Sequence, residues 1–464
     1  MRERHRSAGA TSPIPPAGGH RLRVAAIALA TACAIVGAAA PTAAQPAQAR
    51  NATTIGGLID AVFNPELPFN PNGSNLSLAD YERRQADSRQ GIAIGVGNAL
   101  SSFPLGASSA GFTYVTNPVT GERDLKAISF GPVFVERALT NGKGVLNFGA
   151  AFQAAYFDTL QGANVKDDGL PIFSQLGTYA DGSGVGDAER VYLNVNSKVF
   201  LVSGSYGVTD HFDIGWSIPV VSLSVNARHL RDYNGGKDWD NDLPNVRARY
   251  PNKVGTETLV DKTITANGIG DIVVRGKYAL GADSGQRMLV SGDVRLPTGD
   301  EENLTGAGKA SLRMIVGGSI PLGENGSFNA NGGYTVGGLS DEINFSMGAE
   351  VAVLPSRQMT LTFDFIGQNL RDTVTTFNQL TSFDGTLPRP QDPQSPLVLP
   401  RRVITNYGFW DRGATTLLRG AIGAKLALGS NWLLTGSALF RLNDNGFQAK
   451  IVPFIGLEHT WTGK

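Results

Sequence analysis

Residues 341–366 read DEINFSMGAEVAVLPSRQMTLTFDFI. In the first half, Ile343, Phe345, Met347, Ala349, Val351 and Val353 fall on one parity, and Asn344, Ser346, Gly348 and Glu350 on the other. After Leu354-Pro355-Ser356-Arg357 the alternation resumes. Met359, Leu361, Phe363 and Phe365 oppose Thr360, Thr362 and Asp364. A period of two is the period of a β-strand, whose successive side chains point to opposite faces. Two such runs across a tight connection predict an antiparallel hairpin with one continuous apolar face and one polar face.

The pattern repeats outward from this hairpin. Ile272, Val274, Gly276, Tyr278 and Leu280 oppose Asp271, Arg275 and Lys277. Met288, Val290, Val294 and Leu296 oppose Ser291, Asp293 and Arg295, and Trp432, Leu434, Ala438, Phe440 and Leu442 oppose Thr435, Ser437 and Arg441. Similar segments lie near 145–157, 190–206, 211–227, 309–320, 326–337, 414–427 and 447–461, giving about twelve strands. Segment 211–227 changes phase: Phe212, Ile214, Trp216 and Ile218 are even, whereas Val221, Leu223 and Val225 are odd. A bulge beside Pro219 is the expected cause.

Connection lengths sort by parity. Short turns fall at 207–211, 281–287, 321–326, 354–357 and 428–431. The long connections, 158–189, 228–267 and 371–413, all occupy the opposite end. A transmembrane barrel has this form, with short periplasmic turns and longer outer loops, and an even strand count returns both termini to the periplasm. Closure also removes the unpaired edges that hydrocarbon cannot satisfy. Charge agrees. Arg275, Arg295, Arg313, Glu350, Asp364, Arg419 and Arg441 sit on the polar faces and are the candidate lumen-lining residues. The expected fold class is all-β, a transmembrane antiparallel β-barrel of 12–14 strands over 145–464. Arginine should then be tolerated better at Asp364 than at its neighbour Phe363.

Composition narrows the function. The chain has 464 residues, 40 Lys+Arg against 40 Asp+Glu, 58 Gly and one Cys, and 17% of it is charged. Soluble domains carry roughly 25% charge. Formal neutrality argues against nucleic-acid binding. A single Cys excludes a disulfide framework or a cysteine metal cluster, and no apolar run of helix-spanning length exists beyond the first fifty positions. Those fifty positions read as an address. Arg2, Arg4, Arg6, Arg21 and Arg23 precede the apolar stretch 24–40, and Ala47-Gln48-Ala49 follows. This is a secretory signal, with cleavage expected after Ala49 or alternatively after Ala44. Cleavage after Ala49 leaves 35 basic and 39 acidic residues and removes Cys33. Residues 50–144 are less regular. Ile55, Leu58, Ile59, Val62 and Phe63 fit one helical face, and 110–117 can pair with 124–132. The region reads as a periplasmic extension, a plug or a further hairpin.

An ordered series of motifs runs through the chain: FGPVFVERA at 130–138 with GKG at 142–144, YFD at 156–158, YGVTD at 206–210, DIG at 213–215, IPV at 218–220, GIGD at 268–271, KY at 277–278 and LPTGD at 296–300. Together they resemble the outer-membrane transporters named after the meta pathway of phenol degradation, over 125–370 and more loosely in the last hairpins. The resemblance implies an outer-membrane barrel that transports small molecules, often aromatic or hydrophobic. It carries over no catalytic or ligand residues. One departure is the end of the chain, where Trp461 is followed by Thr462-Gly463-Lys464 instead of closing on an aromatic residue.

The chemistry-bearing residues read mostly as architecture. His211 falls in a turn, His229 at a strand end, and His459 beside Trp461 at the membrane boundary. No Gly-x-Ser-x-Gly elbow accompanies them, so no catalytic residue and no enzyme is expected. Asp238, Asp240 and Asp242 alternate as calcium ligands do, but Leu243 stands where the loop needs Gly and Arg249 where it needs Glu, so an acidic solvated loop and no metal is expected. Trp216, Tyr278, Trp432 and Trp461 fit an interfacial girdle. The expected function is passive passage of small molecules without a cofactor. The expected partners are membrane lipid, lipopolysaccharide and the barrel-insertion machinery. A closed barrel making surface contacts, and a lipid-acting barrel enzyme, are the alternatives.

Overall fold

The computed structural model describes residues 46–63, 77–101, 111–116, 123–125, 129–178, 184–234, 254–281, 287–353, 358–384 and 402–462. Three helices come first: α1 (Pro46–Asn51), α2 (Ile55–Val62) and α3 (Leu78–Ser101). The strands follow: β1 (Tyr114–Thr116), β2 (Arg123–Leu125), β3 (Val145–Leu160), β4 (Ala163–Asn164), β5 (Leu170–Thr178), β6 (Gly184–Gly207), β7 (Phe212–Asn234), β8 (Val254–Ile269) and β9 (Val273–Leu280). Then come β10 (Arg287–Arg295), β11 (Ser311–Leu322), β12 (Gly326–Gly337), β13 (Glu342–Ala352), β14 (Met359–Asp384), β15 (Arg402–Leu428), β16 (Trp432–Arg441), β17 (Phe447–Ala449) and β18 (Ile451–Thr462). All strand pairs are antiparallel, and the sheet closes on itself: β3 pairs β6 on one side and β18 on the other. β8 and β9 share one place in the wall, as do β17 and β18, so the barrel has twelve strands. Among the described residues β1 and β2 pair only with each other.

The two faces separate as the alternation requires. Leu146, Phe152, Phe200, Ile214, Val294, Met347, Phe363, Ile422 and Ile455 point outward into an apolar belt. Their neighbours Asn147, Gln153, Ser205, Asp213, Asp293, Glu350 and Asp364 are buried on the inside. Apolar outside and polar inside is the inverse of a soluble sheet, and it makes this a membrane-spanning barrel. Trp432 and Trp461 flank His459 on the outer face, with ring centroids 4.5 and 4.1 Å from it.

The wall is uneven in height. β10 has 9 residues and β13 has 11, whereas β6, β7, β14 and β15 have 24, 23, 26 and 27. The three long connections expected from the sequence are therefore largely strand. β8 lies mostly within 228–267, β5 within 158–189, and β14 and β15 run into 371–413. β5 pairs β6 on one edge and β15 on the other, standing in for β16, β18 and β3 where those strands have ended. These extensions escaped the alternation rule because beyond the bilayer the outer face meets water, a change that begins on β6 and β7 with Asn194, Asn196, Lys198, Ser222, Ser224 and Asn226.

The same change of surroundings explains the phase slip in β7, and here the expected bulge is absent. β6 and β7 pair without a register shift from Gly186↔Asn234 to Gly207↔Asp213. Below residue 220 the apolar side chains Ile214, Trp216 and Val220 face lipid. Above it Val221, Leu223, Val225 and Ala227 face inward, fully or nearly buried against α1–α3. The strand keeps its twist while the apolar surroundings move from outside to inside. The irregularity lies on the neighbouring strand, where 270–272 interrupt β8 and β9 opposite Ile218 and Pro219.

The interior of the tall end is built like a soluble core. Thr54 caps α2 by accepting from Gly57 N at 3.3 Å. Ser77 caps α3 by accepting from Asp80 N at 3.1 Å and donates to the Asp80 carboxylate at 2.8 Å, a box that fixes its first turn. Ile55, Leu58, Ile59 and Val62 on α2, and Ile92 and Val96 on α3, pack on Leu193, Val195, Leu223 and Val225 of the wall. Each such burial contributes about 1.5–3 kcal/mol. The barrel strands begin and end at the short-turn end, where Val145 pairs with Thr462. The chain ahead of them crosses the barrel, since Arg50 Nε donates to Leu259 O of β8 at 2.5 Å near the tall end.

Candidate lumen passage

The segment between the helices and β3 is SFGPVFVERALTNGKG, residues 129–144, and it lies across the short-turn half of the lumen. Extended backbone inside a barrel has no ladder partners, so each amide and carbonyl needs an inward side chain. Asp364 on β14 accepts from Val133 N at 3.0 Å and Phe134 N at 2.8 Å. Thr360 accepts from Phe130 N at 3.1 Å, and Lys425 on β15 donates to Phe130 O and Pro132 O at 3.2 and 2.9 Å. Ser319 on β11 accepts from Ala138 N, and Asp213 on β7 from Asn141 N. Ser129 donates to the buried Glu350 carboxylate at 2.8 Å. The wall thus holds the segment from β7, β11, β13, β14 and β15. Arg137, fully buried, closes the segment on itself by donating to Ser129 O at 2.9 Å and reaches Gly111 O at 3.1 Å.

Glu136 is the electrostatic joint. Its carboxylate lies 2.7 Å from Arg275 Nη1 and 3.6 Å from Lys277 Nζ, both on β9. Arg275 also grips Asp293 on β10 through two contacts, at 2.5 and 2.9 Å. Asp293 in turn is shared with Arg313 on β11. Such charge-assisted forks are strong and directional. Buried charges persist only when paired, so this chain of ions locks the segment to β9, β10 and β11.

The seven sequence candidates divide by neighbourhood. Arg275, Glu350 and Asp364 are buried and hold the lumen segment. Arg313 and Arg295 line a cavity with Asp293, Glu342, Gln368 and Asn98 of α3. A second cavity shares Arg313 and Gln368 and adds Glu136, Arg275 and Asn331. Arg419 donates to Gln368 at 2.5 Å and to Gln448 at 3.2 Å. Arg441 stands apart, paired with Asp444 at 3.3 Å and with Thr159. A third space lies between Val133, Arg275, Lys425, Phe454 and Glu458. Glu136, Glu342 and Gln368 were not among the candidates. Two adjacent charges in the apolar run Val133-Phe134-Val135-Glu136-Arg137-Ala138-Leu139 are the signal that marks the first.

A clasp closes the wall where β8 gives way to β9. The Asp271 carboxylate accepts from Gly299 N at 3.1 Å and from Ala307 N at 2.8 Å. Thr298 donates to Gly270 O at 2.8 Å and accepts from Ile272 N at 3.0 Å. Gly56 N of α2 donates to Glu302 O at 2.8 Å, so the clasp also holds the helices. Within it, hydrogen bonds from Asn303 hold the Asp300 carboxyl below its ordinary range. The turn at 207–211 uses Thr209, which accepts from His211 N and Phe212 N. His229 is in mid-strand on β7, not at a strand end, because the strand continues to Asn234. It is buried 3.1 Å from Glu189 of β6, which Arg231 also grips. The calcium candidates Asp238, Asp240 and Asp242 lie outside the described residues.

No curated protein matches the chain. Among solved structures it is similar to the COG4313 outer membrane channel from Pseudomonas putida F1, with 11% identity over 70% of this chain and 98% of that one, at a TM-score of 0.37. It is also similar to a FadL homologue from Pseudomonas aeruginosa, with 9% identity over 79% and 97% of the two chains, at a TM-score of 0.31. The outer membrane protease OmpT from Escherichia coli gives 10% identity over 68% and 97%, at a TM-score of 0.22. Residues 225–382, which run from β7 through the hairpin at 341–366, match the model of the family described as "Putative MetA-pathway of phenol degradation", the family that the ordered motifs resemble.

Proposed function

We propose that this protein is an outer-membrane channel through which small molecules pass without a chemical step. One observation carries the reading. The lumen segment leaves space against the wall, and neighbouring cavities beside it share lining residues, Arg313 and Gln368 for one pair and Arg275 for the next, so they follow one another from the α3 level toward the short turns. Their walls mix polar and apolar surface in comparable amounts. Of the small molecules that the family resemblance implies, this lining suits those that join an apolar or aromatic body to a polar or charged group. The reading includes export by a signal over 1–49 cleaved after Ala49, insertion by the barrel-assembly machinery, and contact of the tall end with lipopolysaccharide. Among the described residues no serine hydroxyl is hydrogen-bonded to His211, His229 or His459, the arrangement a lipid-acting hydrolase would need.

A closed barrel is the second reading, favoured by the hydrogen bonds that tie residues 129–144 to wall strands from β7 to β15. Single-channel recording of the purified protein in planar bilayers separates the two. Discrete conductance that rises when the Glu136 joint is cut supports the channel. Silence in both proteins supports a closed barrel.

A further inference from the structure

Two arginines, Arg295 and Arg313, line one cavity beside Asn98 near the end of α3, and a third stands one amide away. Arg419, on β15, reaches the same wall through Gln368, which lines that cavity and the next. The carboxylate that lines this cavity with Arg295 and Arg313 is Glu342, nearly buried on β13. The acids nearby are already shared. Asp293 serves Arg275 and Arg313 at once, and Glu136 serves Arg275 and Lys277. Arg419 is held by two neutral amides, and its cross-strand partner on β16 is another arginine, Arg441. Like charges directly opposite on a sheet are unfavourable. A half-buried guanidinium whose amide partner lines a cavity is suited to an anion that arrives from outside.

We propose that Arg295, Arg313 and Arg419 form a binding station for a small organic carboxylate, and that Glu342 is its exchangeable internal occupant. A guanidinium fork matches a planar carboxylate in geometry as well as charge. Glu342 neutralises the station when it is empty. An entering carboxylate takes over one or two of the arginines, and the Glu342 carboxylate is released toward the third. The exchange keeps every guanidinium paired throughout, so the ligand is held without being trapped. Asn98 of α3, bonded to Ser340 at 3.0 Å, covers the station on its tall side and places it under the helices.

The station deepens the channel reading, and binding separates the two. Benzoate and acetate are titrated calorimetrically into the full-length protein in detergent, with benzyl alcohol as the uncharged control. Wild type should bind benzoate in preference to benzyl alcohol. Arg419→Gln should weaken benzoate by roughly tenfold, the value of one charge-assisted contact. Arg419→Lys, which keeps charge but loses the fork, should fall between. Glu342→Gln should tighten benzoate, because the internal competitor is gone. Each variant is first shown to be folded by its heat-modifiable gel migration. Absent benzoate binding, equal binding of benzyl alcohol, or an unchanged or weaker affinity in Glu342→Gln overturns the station. Wild-type binding with this order of variants, in a protein that conducts nothing in bilayers, would keep the station and overturn the channel.

Discussion

Phe363 and Asp364 are consecutive residues on β14 whose environments differ as much as any two in the protein. Phe363 is 50% exposed on the outer belt, beside Ile422 across the strand pair, and Asp364 is 5% exposed inside. Phe363 lies four positions beyond Met359, where β14 begins. At about 3.4 Å per residue and a tilt near 45°, that places it roughly 10 Å into an apolar band about 25 Å tall. Arginine there puts a guanidinium near mid-plane, and Phe363→Arg should cost about 2–4 kcal/mol. Asp364→Arg was expected from the alternation alone to cost less. The structure removes most of that expected difference, because Asp364 accepts two backbone N–H groups of the lumen segment. Each hydrogen bond to a charged group is worth about 1.5–3 kcal/mol, so the loss is comparable to that at Phe363. The incoming charge also faces Lys425. Asp364→Asn separates the two mechanisms. It keeps an acceptor oxygen and should cost about 1–2 kcal/mol. The assay is the urea midpoint of protein refolded into lipid vesicles. Thinner bilayers should relieve Phe363→Arg, since the guanidinium then lies closer to water, and should leave Asp364→Arg unchanged. A Phe363→Arg protein as stable as wild type would refute the assignment of this face to lipid.

Three further outcomes are expected. Glu136→Gln leaves Arg275 with Asp293 and Lys277 with its cross-strand neighbour Asp213 as the remaining close acids, and should cost about 3–5 kcal/mol, read as a lower urea midpoint. Asp271→Ala strips two backbone donors of the clasp and should destabilise by roughly 3 kcal/mol, with earlier proteolysis between 296 and 308. Gly207→Ala would place its Cβ 1.9 Å from Gly142 O, so it should loosen the 129–144 segment and raise conductance, whereas Gly436→Ala, with open space around it, should do neither.

Some of this architecture is written in the chain itself. Period-two alternation specifies which side chains share a face, and in a closed sheet the neighbouring strands then fix inside from outside. Phe363 and Asp364, or Val294 and Asp293, could be placed by parity without coordinates because strand geometry is local. The turn at 206–210 was legible for the same reason, since Thr209 satisfies amides only two and three residues away. Tertiary structure decided what depends on medium and on distant partners. Alternation is blind to whether an apolar face meets lipid or protein, so the change of phase in β7 read as a bulge and the tall extensions read as loops. Residues 129–144 carry no repeating pattern, because their hydrogen bonds go to Asp364, Lys425, Ser319 and Asp213, some 70 to 295 positions away. Parity could bring Arg295, Arg313 and Arg419 to the inside. Only closure of the barrel could bring Arg295 of β10, Arg313 of β11 and Glu342 of β13 to one cavity, with Arg419 of β15 one amide away.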